Sequence, residues 1–216
     1  MLQPQPGTPS DTIPYEQRLA ADFDWALREG GMHFDESSSV HKSLRRIAGR
    51  LENLGVPYAV CGGMALFFHG HRRFTEDVDI LVSRDSLKRI LENLEGLGYV
   101  QPFAGSKVLR DAETGVRIEF MVQGDYPGDG KPKPVAFPDP VAVSVDVDGI
   151  KFLSLPALIE LKLASGMTNP RRGQDLVDVQ ALIDHLKLPL GLAETLHPFV
   201  RGKFAELWHV VHDNPP

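Results

Sequence analysis

The chain has 216 residues, 42% of them hydrophobic and 24% charged, with a formal net charge of −6. That is enough apolar material for one good core or two small ones, and the acidic balance gives no broad basic face for unaided binding to long nucleic acids, leaving room only for a local patch. The single cysteine, Cys61, excludes an internal disulfide and fits a reducing cytoplasm, while no apolar run is long enough to span a membrane and no repeat, zinc-type cysteine pattern or nucleophile elbow occurs.

Residues 1–14 are expected to form a loose tail, since Met1 to Ser10 is proline-rich and polar and lacks the basic and apolar regions of a signal peptide. Tyr15 to Glu29 has helical spacing, with Leu19 and Phe23 on one stripe, and Gly30-Gly31 is expected to end it. Ser39 to Leu54 follows with Leu44, Ile47, Leu51 and Leu54 on a buried face and Gly55 as its stop.

The most informative stretch runs from Tyr58 to Val82. Tyr58 to Cys61 reads as a short buried strand, Gly62 and Gly63 as a tight turn, and Met64 to His69 as a helix whose free N–H groups point back at the turn. Asp77 to Val82 alternates with period two, so Asp77, Asp79 and Leu81 share one face and Val78, Ile80 and Val82 the other. Two carboxylates on one face of an apolar strand repel each other and lose hydration, which a cation between them relieves. Magnesium fits, because it takes one or two carboxylates and keeps positions open for water and substrate phosphates.

A helix from Asp85 or Ser86 carries Leu87, Ile90, Leu91, Leu94 and Leu97 as its stripe. Tyr99 to Phe103, Lys107 to Asp111 and Val116 to Val122 read as strands of a mixed sheet. In the last of these Val116, Ile118, Phe120 and Val122 face one way and Arg117, Glu119 and Met121 the other. Residues 123–140 are rich in Gly and Pro and too long for a simple connector, so a substrate lid and a surface excursion are equally in play. Val141 to Val147 and Ile150 to Leu153 form a hairpin through Asp148-Gly149, and from Ser154 onward the pattern is helical: Leu155 to Ser165, Pro170 to Leu186, Leu190 to Leu196 and Phe199 to Val211.

The hydrophobic-Gly-Gly, spacer, Asp-hydrophobic-Asp pattern resembles the DNA polymerase beta-like nucleotidyltransferase superfamily. His69-Gly70, Arg73 and Thr75 ahead of Asp77-Val-Asp79, with Lys162 and the run Arg171-Arg-Gly-Gln-Asp175-Leu-Val-Asp178, are similar to the branch of minimal and AbiE-type toxin nucleotidyltransferases. The resemblance implies an α/β fold of the α+β kind: a small mixed-sheet nucleotidyltransferase core with helices over residues 15–153, followed by a helical C-terminal subdomain over 154–216. It implies a third acid on a later strand, for which Glu119 has the correct facing, although many relatives carry Asp there. Asp77, Asp79 and Glu119 would be the catalytic and metal-binding set, with two magnesium ions. Gly62, Gly63, Arg73, Thr75 and Lys162 would meet the nucleotide, a nucleoside triphosphate such as ATP. The acceptor would be an RNA end, a protein hydroxyl or a small molecule, and the toxin-like branch brings a cognate antitoxin as partner.

Blander readings stand beside these. Glu119 can pair with Arg117 or a lysine, Arg73 can simply order its loop, and Lys162 can be solvated. Asp125, the fallback acid, suits an Asx-type turn. Asp175 and Asp178 are read as helix-start caps for Arg171 and Arg172, and His69 and His71 as helix-end packing rather than metal ligands. The alternatives to an enzyme of this kind are a non-catalytic nucleotide-binding module or antitoxin-like partner, and a metal-dependent nuclease built on Glu160 and Lys162, which helical placement weakens.

Overall fold

In the computed structural model, residues 12–213 are described. Most of the expected tail lies outside them, but its end is pinned: Thr12 Oγ1 donates to the Ala112 carbonyl at 2.6 Å, and the Tyr15 amide to that of Gly115 at 3.0 Å.

The expected first helix is two. α1 (Tyr15–Ala21) stops at Asp22, whose side chain caps α2 (Phe23–Phe34) by accepting from the Trp25 amide at 3.0 Å. Gly30 and Gly31 lie inside α2 and do not end it. The Asp22 cap outweighs the periodicity that ran across it, since a side-chain oxygen on an orphan amide is worth about 1 kcal/mol. α3 (Ser39–Asn53) starts at the Ser38 cap and buries Val40, Leu44, Ile47, Ala48 and Leu51.

β1 (Tyr58–Cys61) and β2 (Asp77–Val82) follow at the places the sequence indicates, while α4 (Gly62–Phe68) takes in the two glycines expected to form a separate turn and ends before His69. α5 (Arg84–Leu94) ends earlier than its stripe suggested, and Leu97 is exposed beyond it. β3 (Tyr99–Val100), β4 (Val108–Asp111) and β5 (Arg117–Val122) come next, then α6 (Pro140–Val143), where the hairpin's first arm was expected to begin. The hairpin is β6 (Ser144–Val147) and β7 (Ile150–Leu153), turning on Asp148 and Gly149, both with positive φ. α7 (Leu155–Thr168), α8 (Gly173–His185) and α9 (Pro198–Asp213) form the helical C-terminal part; Pro170–Arg172 and Leu190–Thr195 are 3-10 segments.

The seven strands make one mixed sheet in the order β3-β4-β5-β2-β1-β7-β6. At its centre β1 runs antiparallel to β2, while β2 runs parallel to β5. Val78, Ile80, Ile118 and Phe120 are buried, and α3 and α5 pack on these strands. Burial of this kind contributes about 1.5–3 kcal/mol per large apolar side chain, and it fixes the register: a one-residue slip would turn the acids into the core and the valines out.

Candidate active site

The parallel register of β2 and β5 sets Asp77 opposite Arg117 and Asp79 opposite Glu119, and the antiparallel register of β1 and β2 sets Cys61 opposite Asp79. The chain leaves β1 directly beside the acids. Gly62 has φ +59°, and a Cβ there would sit 1.8 Å from Oδ2 of Asp79; a Cβ on Gly63 would sit 2.6 Å from Oγ1 of Thr75. Both glycines are therefore demanded by contact with the side chains of the following strand and its lead-in, and Gly62 also by its backbone. Thr75, almost fully buried, donates to Oδ1 of Asp77 at 2.9 Å and orients that carboxylate.

Asp79 is the electrostatic centre. Burial, then the nearby charges of Asp77 and Glu119, push its carboxyl up to about 7, against the opposing pull of Lys162 and Arg172. Burial likewise pushes the adjacent Cys61 thiol far up, which makes it a packing residue and not a nucleophile. Glu119 shares the face of Asp79, but its Oε2 takes Nη2 of Arg117 at 2.5 Å. Among the described residues no three His, Cys, Asp or Glu side chains stand close enough to hold one ion, and Glu119 is turned to Arg117, two residues away on the same strand face. What does fit a divalent cation is the pair Asp77 and Asp79, because a half-buried carboxylate whose neighbours are also acids gains most from a positive ion, and magnesium needs only one or two such ligands.

Across from the acids stands α7. Lys162 is buried and donates to Asp175 Oδ1 at 2.8 Å and Asp178 Oδ2 at 2.7 Å. Arg73 grips the same Asp178 through Nε and Nη2, at 2.9 and 3.1 Å, and gives Nη1 to the Phe74 carbonyl. Burial works against the Asp178 carboxylate, yet Lys162, Arg73 and Gln174 together hold it below the usual range. Asp175 and Asp178 are therefore not caps for Arg171 and Arg172; they are the anionic seat of Lys162. Arg73 does the loop-ordering half of its expected role, tying residues 69–76 to α8.

Between these walls lies a pocket of about 100 Å³ lined by Gly62, Asp79, Met121, Gly128, Lys162 and Arg172, among others. The 123–140 segment forms part of that lining and is fastened to α7. A Cβ on Gly128 would come 2.7 Å from the Ser165 carbonyl, Asn169 Nδ2 donates to the Gly128 carbonyl at 3.2 Å, and Lys133 Nζ donates to Thr168 Oγ1 at 3.0 Å. Arg172, Asp175, Asp178 and Gly128 line or brace this pocket without having been assigned a site role from sequence; the signals for the first three were the run Arg171 to Asp178 in the family resemblance and the three-residue spacing of the two aspartates, which puts both on one helical turn.

The other candidates take structural places. His69 Nε2 meets the Leu153 carbonyl at 2.8 Å, Asp125 pairs with Arg84 and Lys107, and Glu160 accepts from the His197 amide while Lys162 turns to Asp175 and Asp178. Glu160 and Lys162 thus have separate partners, and the nuclease pair does not form.

Solved structures are similar to this chain in fold. A solved structure of ANT(2'')-Ia in complex with adenylyl-2''-tobramycin is 11% identical, with a TM-score of 0.50, covering 76% of this chain and 96% of that one. An antigenic nucleotidyltransferase-like protein from Paracoccidioides brasiliensis is 18% identical over 66% of this chain and 74% of its own, with a TM-score of 0.43, and JHP933 from Helicobacter pylori is 20% identical over 81% and 80%, with a TM-score of 0.41. No curated protein matches the chain. The family described as nucleotidyl transferase AbiEii toxin of type IV toxin–antitoxin systems matches residues 46–205, which hold the glycine bend, all three acids, Lys162 and Asp178. The chain belongs to the AbiEii nucleotidyltransferase toxin family.

Proposed function

We propose that the protein moves a nucleoside monophosphate from a nucleoside triphosphate to an acceptor hydroxyl, with Asp77 and Asp79 holding magnesium and Glu119 beside them taking the acceptor's proton. The observation that carries this is the half-buried Asp79, pressed against a glycine bend and flanked by two more acids on one sheet face.

The divalent ions, when bound, supply positive charge to the triphosphate and to the attacking oxygen. The protein's own groups do the rest. Thr75 holds Asp77 in one orientation through its hydroxyl. The amides of Gly62 and Gly63, at the start of α4 beside the acids, meet phosphate oxygens. Lys162 faces the pocket from a seat of two carboxylates and meets the phosphates as a point charge. The acceptor oxygen forms a bond to the α-phosphorus, the bond to the bridging oxygen breaks, and pyrophosphate leaves with that electron pair. The acceptor proton passes to Glu119, whose carboxylate Arg117 orients. The acceptor is an RNA end, a protein or a small alcohol, a cognate antitoxin limits the activity, and the reaction belongs in the cytoplasm.

The test uses triphosphates labelled at the α or the γ phosphate, with magnesium and a cell extract as acceptor source. Retention of α-label and not γ-label on an acceptor, lost in Asp79→Asn and Glu119→Gln, is the expected result. Retained γ-label, or α-label undiminished in Asp79→Asn, contradicts the proposal.

A further inference from the structure

A cleft of about 650 Å³ shares no lining residue with the acid pocket. Its lining includes Met64, Phe67 and Phe68 from α4 and Phe152 from β7, with Phe68 and Phe152 stacked at 4.5 Å and 14° between planes. α3 contributes a wall, and the Asp148-Gly149 turn another. The volume and the apolar, aromatic character match a small-molecule site, which typically spans about 300–1,000 Å³ with few polar groups.

Two features of this cleft cost stability without serving the fold. Gly49 sits in the interior of α3 with ordinary helical backbone, and a Cβ there would meet nothing within 4 Å. Glycine is among the least favourable residues at a helix interior, and here neither close packing nor backbone geometry asks for it; its consequence is open space above the helix. The second is His41, 5% exposed and part of the same lining, whose Nε2 has no hydrogen-bond partner. Its Nδ1 lies 3.0 Å from Ser38 Oγ, which also accepts the His41 amide. Nε2 is left without a partner whichever ring nitrogen carries the hydrogen. An unpaired buried polar atom is unfavourable unless something supplies a partner.

The charged groups indicate what that something carries. Arg45 and Arg72 both line the cleft, and the Arg72 guanidinium lies 4.9 Å from the Phe67 ring centroid. Their present partner is Glu36: its carboxylate meets Arg72 at 3.3 Å in a pair that is half exposed on both sides, and its carbonyl accepts from Arg45 at 2.6 Å. Exposed ion pairs contribute little, so an incoming anion can take the place of the Glu36 carboxylate. Asp148 is the other acid of the lining and disfavours a second negative group near the turn.

We propose that this cleft is a second ligand site for a planar aromatic ring bearing one anionic group, with the ring against Phe67, Phe68 and Phe152 and the anion at Arg45 and Arg72. Nucleoside monophosphates and aromatic carboxylates share that chemistry. The site is joined to the acids in two ways: α4 runs from the Gly62-Gly63 bend to Phe67 and Phe68, and Arg72 directly precedes Arg73, which holds Asp178.

The test titrates the fluorescent aromatic anion anilinonaphthalene sulfonate into the full chain. Saturable binding is expected, weakened at least about tenfold, equivalent to 1.4 kcal/mol, by Gly49→Phe, which fills the cleft while removing a poor helix former, and by Arg45→Gln with Arg72→Gln, which leaves the aromatic floor intact. Melting followed by circular dichroism confirms that each variant is folded. Adenosine and guanosine monophosphates form one displacement arm and indole carboxylate the other; displacement in either arm that Gly49→Phe abolishes supports the site and identifies its source. Equal dye affinity in Gly49→Phe, displacement by neither class, or displacement that survives in Gly49→Phe and so arises at the acids overturns it.

Discussion

Arg73 and Asp178, 105 residues apart in sequence, are joined by two parallel hydrogen bonds, Nε to Oδ1 and Nη2 to Oδ2. Asp178 is fully buried and also receives Lys162 and Gln174. Removing it takes from Arg73 its carboxylate and from the buried Lys162 one of its two. Asp178→Ala is expected to lose about 3–5 kcal/mol, the scale of breaking a buried pair from one side. Arg73→Lys should lose less stability but cannot reproduce the fork. Urea unfolding measures both, and an Asp178→Ala midpoint equal to that of the wild type would show that the tie carries no stability.

The glycine bend yields a sharper prediction on activity. In Gly62→Ala the new methyl would occupy the place of the Asp79 carboxylate, on a backbone that L-residues rarely adopt, so Asp79 must swing away. Transfer should fall by more than the roughly 10–100-fold that loss of an outer-shell partner costs. Gly63→Ala collides with Thr75 instead, so it should disorder Asp77 and cost within that range. Initial rates of the two variants, side by side, check the order.

His41 and Asp79 give opposite pH dependences. Burial, helped by the nearby charge of His33, lowers His41 from 6.5 to about 4. The unfolded chain then binds more protons between those values, so stability is fully present above pH 6.5 and is lost as pH falls toward 4, by about 3 kcal/mol at 1.36 kcal/mol per pH unit. Asp79, raised from 3.8 to about 7 mainly by burial, works the other way: its folded form binds the extra proton, so its contribution is greatest below pH 3.8 and fades as pH rises through 7. His41→Leu should therefore flatten the acid side of the stability curve. Asp79→Asn should be more stable than wild type at pH 8 and steepen the fall below pH 6.5. Melting temperatures from pH 4 to 8 test both signs.

Much of this was legible in the residues. Strand β2 declared its two faces through strict alternation, and Glu119 declared its facing through Val116, Ile118, Phe120 and Val122, because a period of two admits only one assignment once a core is required. The helical periodicity of residues 15–29 hid the break at Asp22, where one cap outweighed a continuous stripe. Leu97 fitted its stripe by spacing alone, but α5 had already ended at Leu94. The ion-pair seat of Lys162 escaped because its partners lie on another helix, and spacing within one helix says nothing about the angle at which α7 and α8 cross. Arg117 was named as a partner for Glu119, yet sequence could not decide between that pairing and a shared cation, since both use the same strand face.

The central claim, that Asp77 and Asp79 beside the glycine bend hold a divalent ion together with a triphosphate, is tested most directly by electron paramagnetic resonance titration of Mn2+ into the protein with a nonhydrolysable triphosphate present. Binding is expected to depend on the triphosphate and to weaken at least about a hundredfold, equivalent to about 2.7 kcal/mol, in Asp79→Asn. Unchanged Mn2+ affinity in Asp79→Asn would contradict it.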